Sequence, residues 1–262
     1  MVYDTKYELI GDKLRITNYS VPIANGYRAK RLDYSKDQTN DRSNKSLYRT
    51  RCNIKDTIDC NVGQYSKFIT LTFKDDLYFE DRKEALKRFN LFTKRFKHHY
   101  NEPLRYVAIM ELQTGSDRHQ STLESPRMVW HFHLVVFNDL KLDLNDFELN
   151  VWQYGITNTK KIDRVENIGL YLMKYITKDT IQFIKNGENM VFKSQGLKKP
   201  IISHGIDCKQ PIIDVGNKKM VLSYSSNYKY IIPEHTNKTT GELIAGTQYD
   251  VVMKEYNLIQ EL

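Results

Sequence analysis

Apolar and polar positions alternate most regularly between residues 67 and 179. KFITLTF (67–73) is short, β-branched and aromatic, and predicts a strand. In DRKEALKRFNLFTKRFKHHY (81–100), Ala85, Phe89, Phe92 and Phe96 recur at spacings of four, three and four. That is one face of a helix, with Lys83, Lys87, Lys94 and Lys97 opposite. LRYVAIMELQ (104–113) predicts a second strand and RMVWHFHLVVF (127–137) a third, expected antiparallel to the second across the polar loop TGSDRHQSTLESP (114–126). KLDLNDFELNVWQYG (141–155) reads as a short helix ending at Gly155, and ITNTKKI (156–162) as a fourth strand. DRVENIGLYLMKYITKD (163–179) reads as a helix, with Asp163 as cap and Glu166 in capping-box register.

The order β-α-β-β-(α)-β-α predicts an α+β fold: a central antiparallel sheet with helices on one face. Residues 1–62 are polar and read as a basic N-terminal arm, with 33–46 (DYSKDQTNDRSNKS) as a mobile loop. Residues 63–200 hold the regular elements. Residues 201–262, with KKMVLSY, YKYII and QYDVVM, predict small strands that extend the same domain as a β-rich C-terminal appendage.

Composition narrows the class. Hydrophobic residues are 40% of the 262 and aromatics 12%, enough for a sizeable core. No apolar run approaches the ~18 residues of a membrane span, and MVYDTKYELIGDKL has no secretory pattern. Cys52, Cys60 and Cys208 are too scattered for a disulfide framework, and free thiols in a cytoplasm are expected. The formal charge of +8 fits a nucleic-acid partner, because neutralising phosphates releases counterions. The basic arm (Arg28, Lys30, Arg31, Arg42, Lys45, Arg49, Arg51) could follow such a backbone. There is no G-x-x-x-x-G-K-[ST] and hence no P-loop motor.

The candidate chemistry sits on two elements. His131 and His133 are two apart on a strand, so both imidazoles share a face, half of a divalent-metal site. Glu111 is an acid in an apolar strand, which costs free energy unless it meets solvent, a partner or a metal. A hairpin could bring Glu111 beside the pair, although its long loop leaves the register open. Gln113 shares the face of Glu111 and is an alternative or supporting ligand. In YLMKYITK (171–178), the helical angle of about 100° per residue gathers Tyr171, Lys174, Tyr175 and Lys178 on one stripe. Val165, Ile168, Gly169, Leu172 and Ile176 form a second stripe suited to packing. A tyrosine beside a metal and a lysine can attack a phosphodiester. The plainer reading is a helix with tyrosines at the core margin and snorkelling lysines.

Taken together, FITLTF, HFH and the paired YLMK and YITK resemble the three motifs of the HUH endonucleases, specifically rolling-circle replication initiators. NIGLYLMKYITKD followed by QGLKKPI is similar to initiators of plasmids and phage-like elements of Gram-positive bacteria. The resemblance implies a ferredoxin- or RRM-like sheet and Mg²⁺ or Mn²⁺ held by His131, His133 and an acid, for which Glu111 matches best. It implies that Tyr171 or Tyr175, assisted by Lys174 and Lys178, nicks single-stranded DNA at a replication origin, often in a hairpin. A 5′-phosphotyrosine and a priming 3′-OH result. A host helicase and polymerase would be the partners, in the cytoplasm of a bacterial cell, with no membrane involved. The connection 114–126 is longer than the short Arg-Gly turn common in that family. The alternatives are a transposase or relaxase of the same superfamily, and a noncatalytic RRM-like nucleic-acid-binding module.

Overall fold

The computed structural model describes residues 2–24, 39–74, 81–113, 129–161, 168–175, 188–206, 213–232, 235–236, 241 and 243–260. The chain divides into two compact units, residues 50–198 and residues 1–49 with 199–262. Among the described residues no helix is long and apolar enough to cross a membrane.

The unit of residues 1–49 and 199–262 is built on a five-stranded antiparallel sheet. Its strands are β1 (Val2–Ile10), β2 (Lys13–Ala24), β8 (Ile201–Gly205), β9 (Lys218–Ile232) and β12 (Thr247–Gln260), in the order β8-β1-β2-β12-β9. A two-stranded ribbon, β10 (His235–Thr236) with β11 (Leu243–Ile244), completes it. Two expectations are corrected here. Residues 2–24 are not an arm but a β-hairpin, turned at Gly11-Asp12 between the paired Ile10 and Lys13. Gly11 has φ 58°, the left-handed conformation such two-residue turns require. Its inward positions are Tyr3, Thr5 and Tyr7 on β1 and Leu14 and Thr17 on β2, so polar-looking residues carried the alternation. The C-terminal strands pair with this hairpin and not with the central sheet, so they are not an extension of the domain at 63–200. KKMVLSY and YKYII lie within one strand, β9. Of the predicted loop 33–46, residues 39–46 belong to helix α1 (Thr39–Asp59) and the rest lie outside the described residues. Arg15 links β2 to β12 through Glu255 at 3.1 Å and lies 3.7 Å from Glu8.

The unit of residues 50–198 has the sheet that the alternation predicts. Its strands are β3 (Lys67–Thr72), β4 (Tyr106–Gln113), β5 (Val129–Val136), β6 (Thr157–Lys161) and β7 (Val191–Lys193), in the order β6-β3-β5-β4-β7 and antiparallel throughout. One face is the core. Ile69, Leu71, Met110, Phe132 and Leu134 pack there against Phe89, Phe92 and Phe96 of α2 (Arg82–Tyr100). The rings of Phe89 and Phe132 stack at 4.4 Å. Each such buried side chain contributes roughly 1.5–3 kcal/mol, so this face anchors the strands. Asp81 caps α2 by accepting from the Lys83 N–H, and Asn101 closes it in the left-handed conformation.

The expected helix at 141–155 is α3 (Leu144–Asp146), continued as a π-helical turn over Phe147–Trp152. It ends at Gln153, not at Gly155. Arg95 of α2 donates to the carbonyls of Val151 and Trp152 and to the Tyr154 hydroxyl, satisfying the end of that turn. Gly155 has another role. A Cβ there would lie 2.2 Å from the Thr72 carbonyl oxygen and 2.5 Å from the Lys74 nitrogen. The chain passes β3 so closely that only glycine fits. Gly155→Ala should therefore cost about 3 kcal/mol and lower the melting temperature by roughly 5–10 °C. Calorimetry of the variant checks this, and an unchanged melting temperature would contradict it.

Helix α4 (Ile168–Met173) lies over the opposite face of the sheet from α2, near β5. Ile168, Gly169 and Leu172 are buried, whereas Lys174 is exposed and Tyr171 and Tyr175 are half-buried. The two predicted stripes are therefore real over the described part of the helix. Gly169 sits against α1, where a Cβ would meet Lys55 at 3.0 Å. Asp163, Val165, Glu166, Ile176 and Lys178 lie outside the described residues.

Candidate active site

Alternation along β3 sends Ile69, Leu71 and Phe73 into the core and leaves Phe68, Thr70 and Thr72 on the other face. Antiparallel pairing places Thr70 opposite His133 and Thr72 opposite His131. On the other side of β5, Glu111 pairs with His131 and Ile109 with His133. The register that the loop length left open therefore puts Glu111 on the histidine face. Gln113 pairs with Val129 on β5, and its side chain lies outside what is described.

Both imidazoles are buried and held from two sides. The Thr70 hydroxyl lies 3.2 Å from His133 Nδ1, and the Thr72 hydroxyl 3.0 Å from His131 Nδ1. His133 Nε2 lies 2.7 Å from Glu111 Oε2. The apolar environment of Glu111 is thus answered by an imidazole.

Helix α4 closes over this face. The Tyr175 ring stacks on the His133 ring at 3.5 Å with 15° between planes. The Tyr175 hydroxyl donates to the Tyr171 hydroxyl at 3.1 Å. Phe68 supports both, edge-on to Tyr171 at 4.9 Å and parallel to Tyr175 at 6.0 Å. The Lys174 ammonium lies 5.1 Å from the centre of the Tyr171 ring. Lys174 N–H bonds to the Tyr171 carbonyl and Tyr175 N–H to the Leu172 carbonyl, so the helix tightens to i→i−3 bonds there. The Tyr175 phenol is pushed well above its ordinary range, first by burial, then by the hydrogen bond to and proximity of Tyr171, and then by Glu111.

Among the described residues no three of His, Cys, Asp and Glu are gathered as a metal-ligand group. The donor set nevertheless fits a divalent cation. Two imidazoles and a carboxylate share one face, both Nδ1 atoms engage threonine hydroxyls, and Glu111 already meets Nε2 of His133. The arrangement brings together five of the predicted site residues: Glu111, His133, Tyr171, Lys174 and Tyr175. His131 is their neighbour on the same strand face. Sequence reasoning assigned no role to Phe68, Thr70 and Thr72. The signal for them was the polar residue at every second place in FITLTF.

Cys52 and Cys60 are free thiols and Cys208 lies outside the described residues.

Residues 66–180 match a family model of replication-associated proteins, the ORF2 type. No curated protein and no solved structure matches the chain. The matched stretch runs from the start of β3 beyond α4. It includes both histidines, Glu111, both tyrosines and the two threonines behind the histidines. Residues 66–180 thus belong to the ORF2-type family of replication-associated proteins.

Proposed function

We propose that the protein is a rolling-circle replication initiator that nicks and rejoins single-stranded origin DNA through tyrosine attack. The observation that carries this reading is the contact of Tyr175 with His133, which puts two phenols against the strand face bearing the candidate metal donors. His131, His133 and Glu111 would hold Mg²⁺ or Mn²⁺. When bound, the cation supplies positive charge to the scissile phosphate and to the departing 3′ oxygen.

The remaining chemistry belongs to the chain. A tyrosine oxygen bonds to phosphorus, the P–O3′ bond breaks, and the phenolic proton ends on the 3′ oxygen. The products are a 5′-phosphotyrosine and a free 3′-OH that primes synthesis. The buried, hydrogen-bonded Tyr175 phenol holds its proton strongly at rest, so attack requires the proton to be taken up as the bond forms. Lys174 is exposed beside Tyr171 and adds charge for the incoming phosphate. Lys178 is assigned the same task beside Tyr175. The second tyrosine cuts the regenerated origin, and the new 3′-OH attacks the first adduct to release a circle. Unwinding and synthesis fall to a host helicase and polymerase, and an extruded hairpin is the natural form of the cleaved strand.

Labelled single-stranded oligonucleotides tiling the protein's own replicon test this. One should be cut with Mn²⁺ or Mg²⁺ and spared with EDTA, and the upstream fragment should be extendable by a polymerase. Absence of cutting across the whole set, with metal present, would rule the reading out.

A further inference from the structure

We infer that Thr70 and Thr72 are positioning residues that hold His131 and His133 by Nδ1 and let Nε2 change partner; this rests on the metal reading above. The two hydroxyls repeat one arrangement. Each threonine is the cross-strand partner of one histidine. Each oxygen lies at hydrogen-bond distance from Nδ1, at 3.2 Å for His133 and 3.0 Å for His131. Period two on β3 puts both on the site face, whereas the residues between and beside them, Ile69, Leu71 and Phe73, are fully committed to the core. β-branched threonine also suits the strand backbone and has few rotamers to lose.

The chemistry needs a hydroxyl and not merely a polar group. A neutral imidazole has one N–H and one lone pair. With Glu111 against Nε2 of His133 at 2.7 Å, Nε2 carries the hydrogen and Nδ1 of a neutral ring accepts from Thr70. When Nε2 instead offers its lone pair to a cation, Nδ1 carries the hydrogen and donates to Thr70. A threonine hydroxyl serves both states by rotating about its C–O bond, because it is donor and acceptor at once. A valine of the same shape serves neither. Thr72 does the same for His131. The ring planes, and hence the direction of Nε2, stay fixed while the proton moves.

The test uses the full chain carrying Thr70→Val, Thr72→Val, Thr70→Ser or Thr72→Ser. Titration calorimetry reads Mn²⁺ affinity, and long-range ¹H–¹⁵N spectra of the metal-free protein read which ring nitrogen carries hydrogen. Each valine variant should bind Mn²⁺ about 10–100-fold more weakly, and its histidine should lose its single tautomer. Each serine variant should restore both. Valine variants with wild-type affinity and spectra would overturn the inference, as would serine variants as impaired as valine. The two levels separate cleanly. If the wild-type chain takes up no Mn²⁺ yet the tautomer responds to Thr70→Val, the metal reading falls and the positioning role stands. If Mn²⁺ binds and neither readout responds, the positioning role falls alone.

Discussion

Replacing both Tyr171 and Tyr175 by phenylalanine should abolish covalent attachment to DNA, lowering strand cleavage by roughly 10⁴-fold or more, while leaving Mn²⁺ binding near wild type. Phenylalanine keeps the rings. The stack of residue 175 on His133 and the edge contact of residue 171 with Phe68 both survive. Only the hydroxyls go, and with them the hydrogen bond between the two side chains. The change is thus almost purely chemical, and the fold should tolerate it. The single variants are more informative still. Because the two hydroxyls lie 3.1 Å apart, both can reach the same scissile phosphate without rearranging the sheet. A lone remaining tyrosine should form the first adduct but have no second nucleophile to cut the regenerated origin. Products should then stall as protein-linked strands, with no closed circle. Both steps are read on one gel. If each single variant nicks and closes as the wild type does, the two-tyrosine cycle is wrong.

His133→Ala should have the second-largest effect, at least about 10³-fold on cleavage together with loss of most metal affinity. This residue makes three contacts at once. Its Nε2 meets Glu111, its Nδ1 meets Thr70, and its ring face carries Tyr175. Removing it takes away a donor, frees the Glu111 carboxylate, and deletes the surface on which the nucleophile rests. Glu111→Gln separates these contributions. It keeps the shape and a hydrogen-bond acceptor for Nε2 but removes the charge, so metal affinity should fall while the Tyr175 stack remains. Equal metal affinity in wild type, Glu111→Gln and His133→Ala would show that this face holds no cation. Raising Mn²⁺ should restore part of the activity of Glu111→Gln and none of that of the double phenylalanine variant, which distinguishes a weakened metal site from a missing nucleophile.

Much of this site was legible in the sequence because periodicity is local. HFH on a strand fixes two imidazoles to one face with no knowledge of the partner strand. YLMKYITK on a helix fixes a stripe, and Tyr171, Lys174 and Tyr175 are the less buried side of α4 as expected. The aromatic spacing of α2 identified the core layer for the same reason. What depended on pairing was not legible. Glu111 reaches His133 through a register that fifteen intervening residues of chain (114–128) do not determine. Thr70 and Thr72 acquire a role only once β3 is known to lie beside β5. The second sheet was missed for a different reason. Its inward positions include Tyr3, Thr5, Tyr7 and Thr17, whose hydroxyls disguise the alternation, and its closure joins β2 to β12 across most of the chain. The Gly11-Asp12 turn was a usable hairpin signal.

The division of labour across the central sheet follows from the same alternation. Every second residue of β3, β4 and β5 anchors the sheet to α2, and the residues between them are left free for chemistry. A rigid apolar face is what allows a buried imidazole, a carboxylate and a phenol to be held at hydrogen-bonding distance without being neutralised by solvent. The central claim is that a tyrosine of α4 becomes bonded to DNA. The direct measurement is mass spectrometry of the species that survives SDS after incubation with a cleaved origin strand and Mn²⁺. A peptide containing Tyr171 and Tyr175, heavier by a 5′-phosphorylated nucleotide on one of those two side chains, is the expected result. A nucleotide on any other residue, or cleaved DNA with no protein attached, would contradict it.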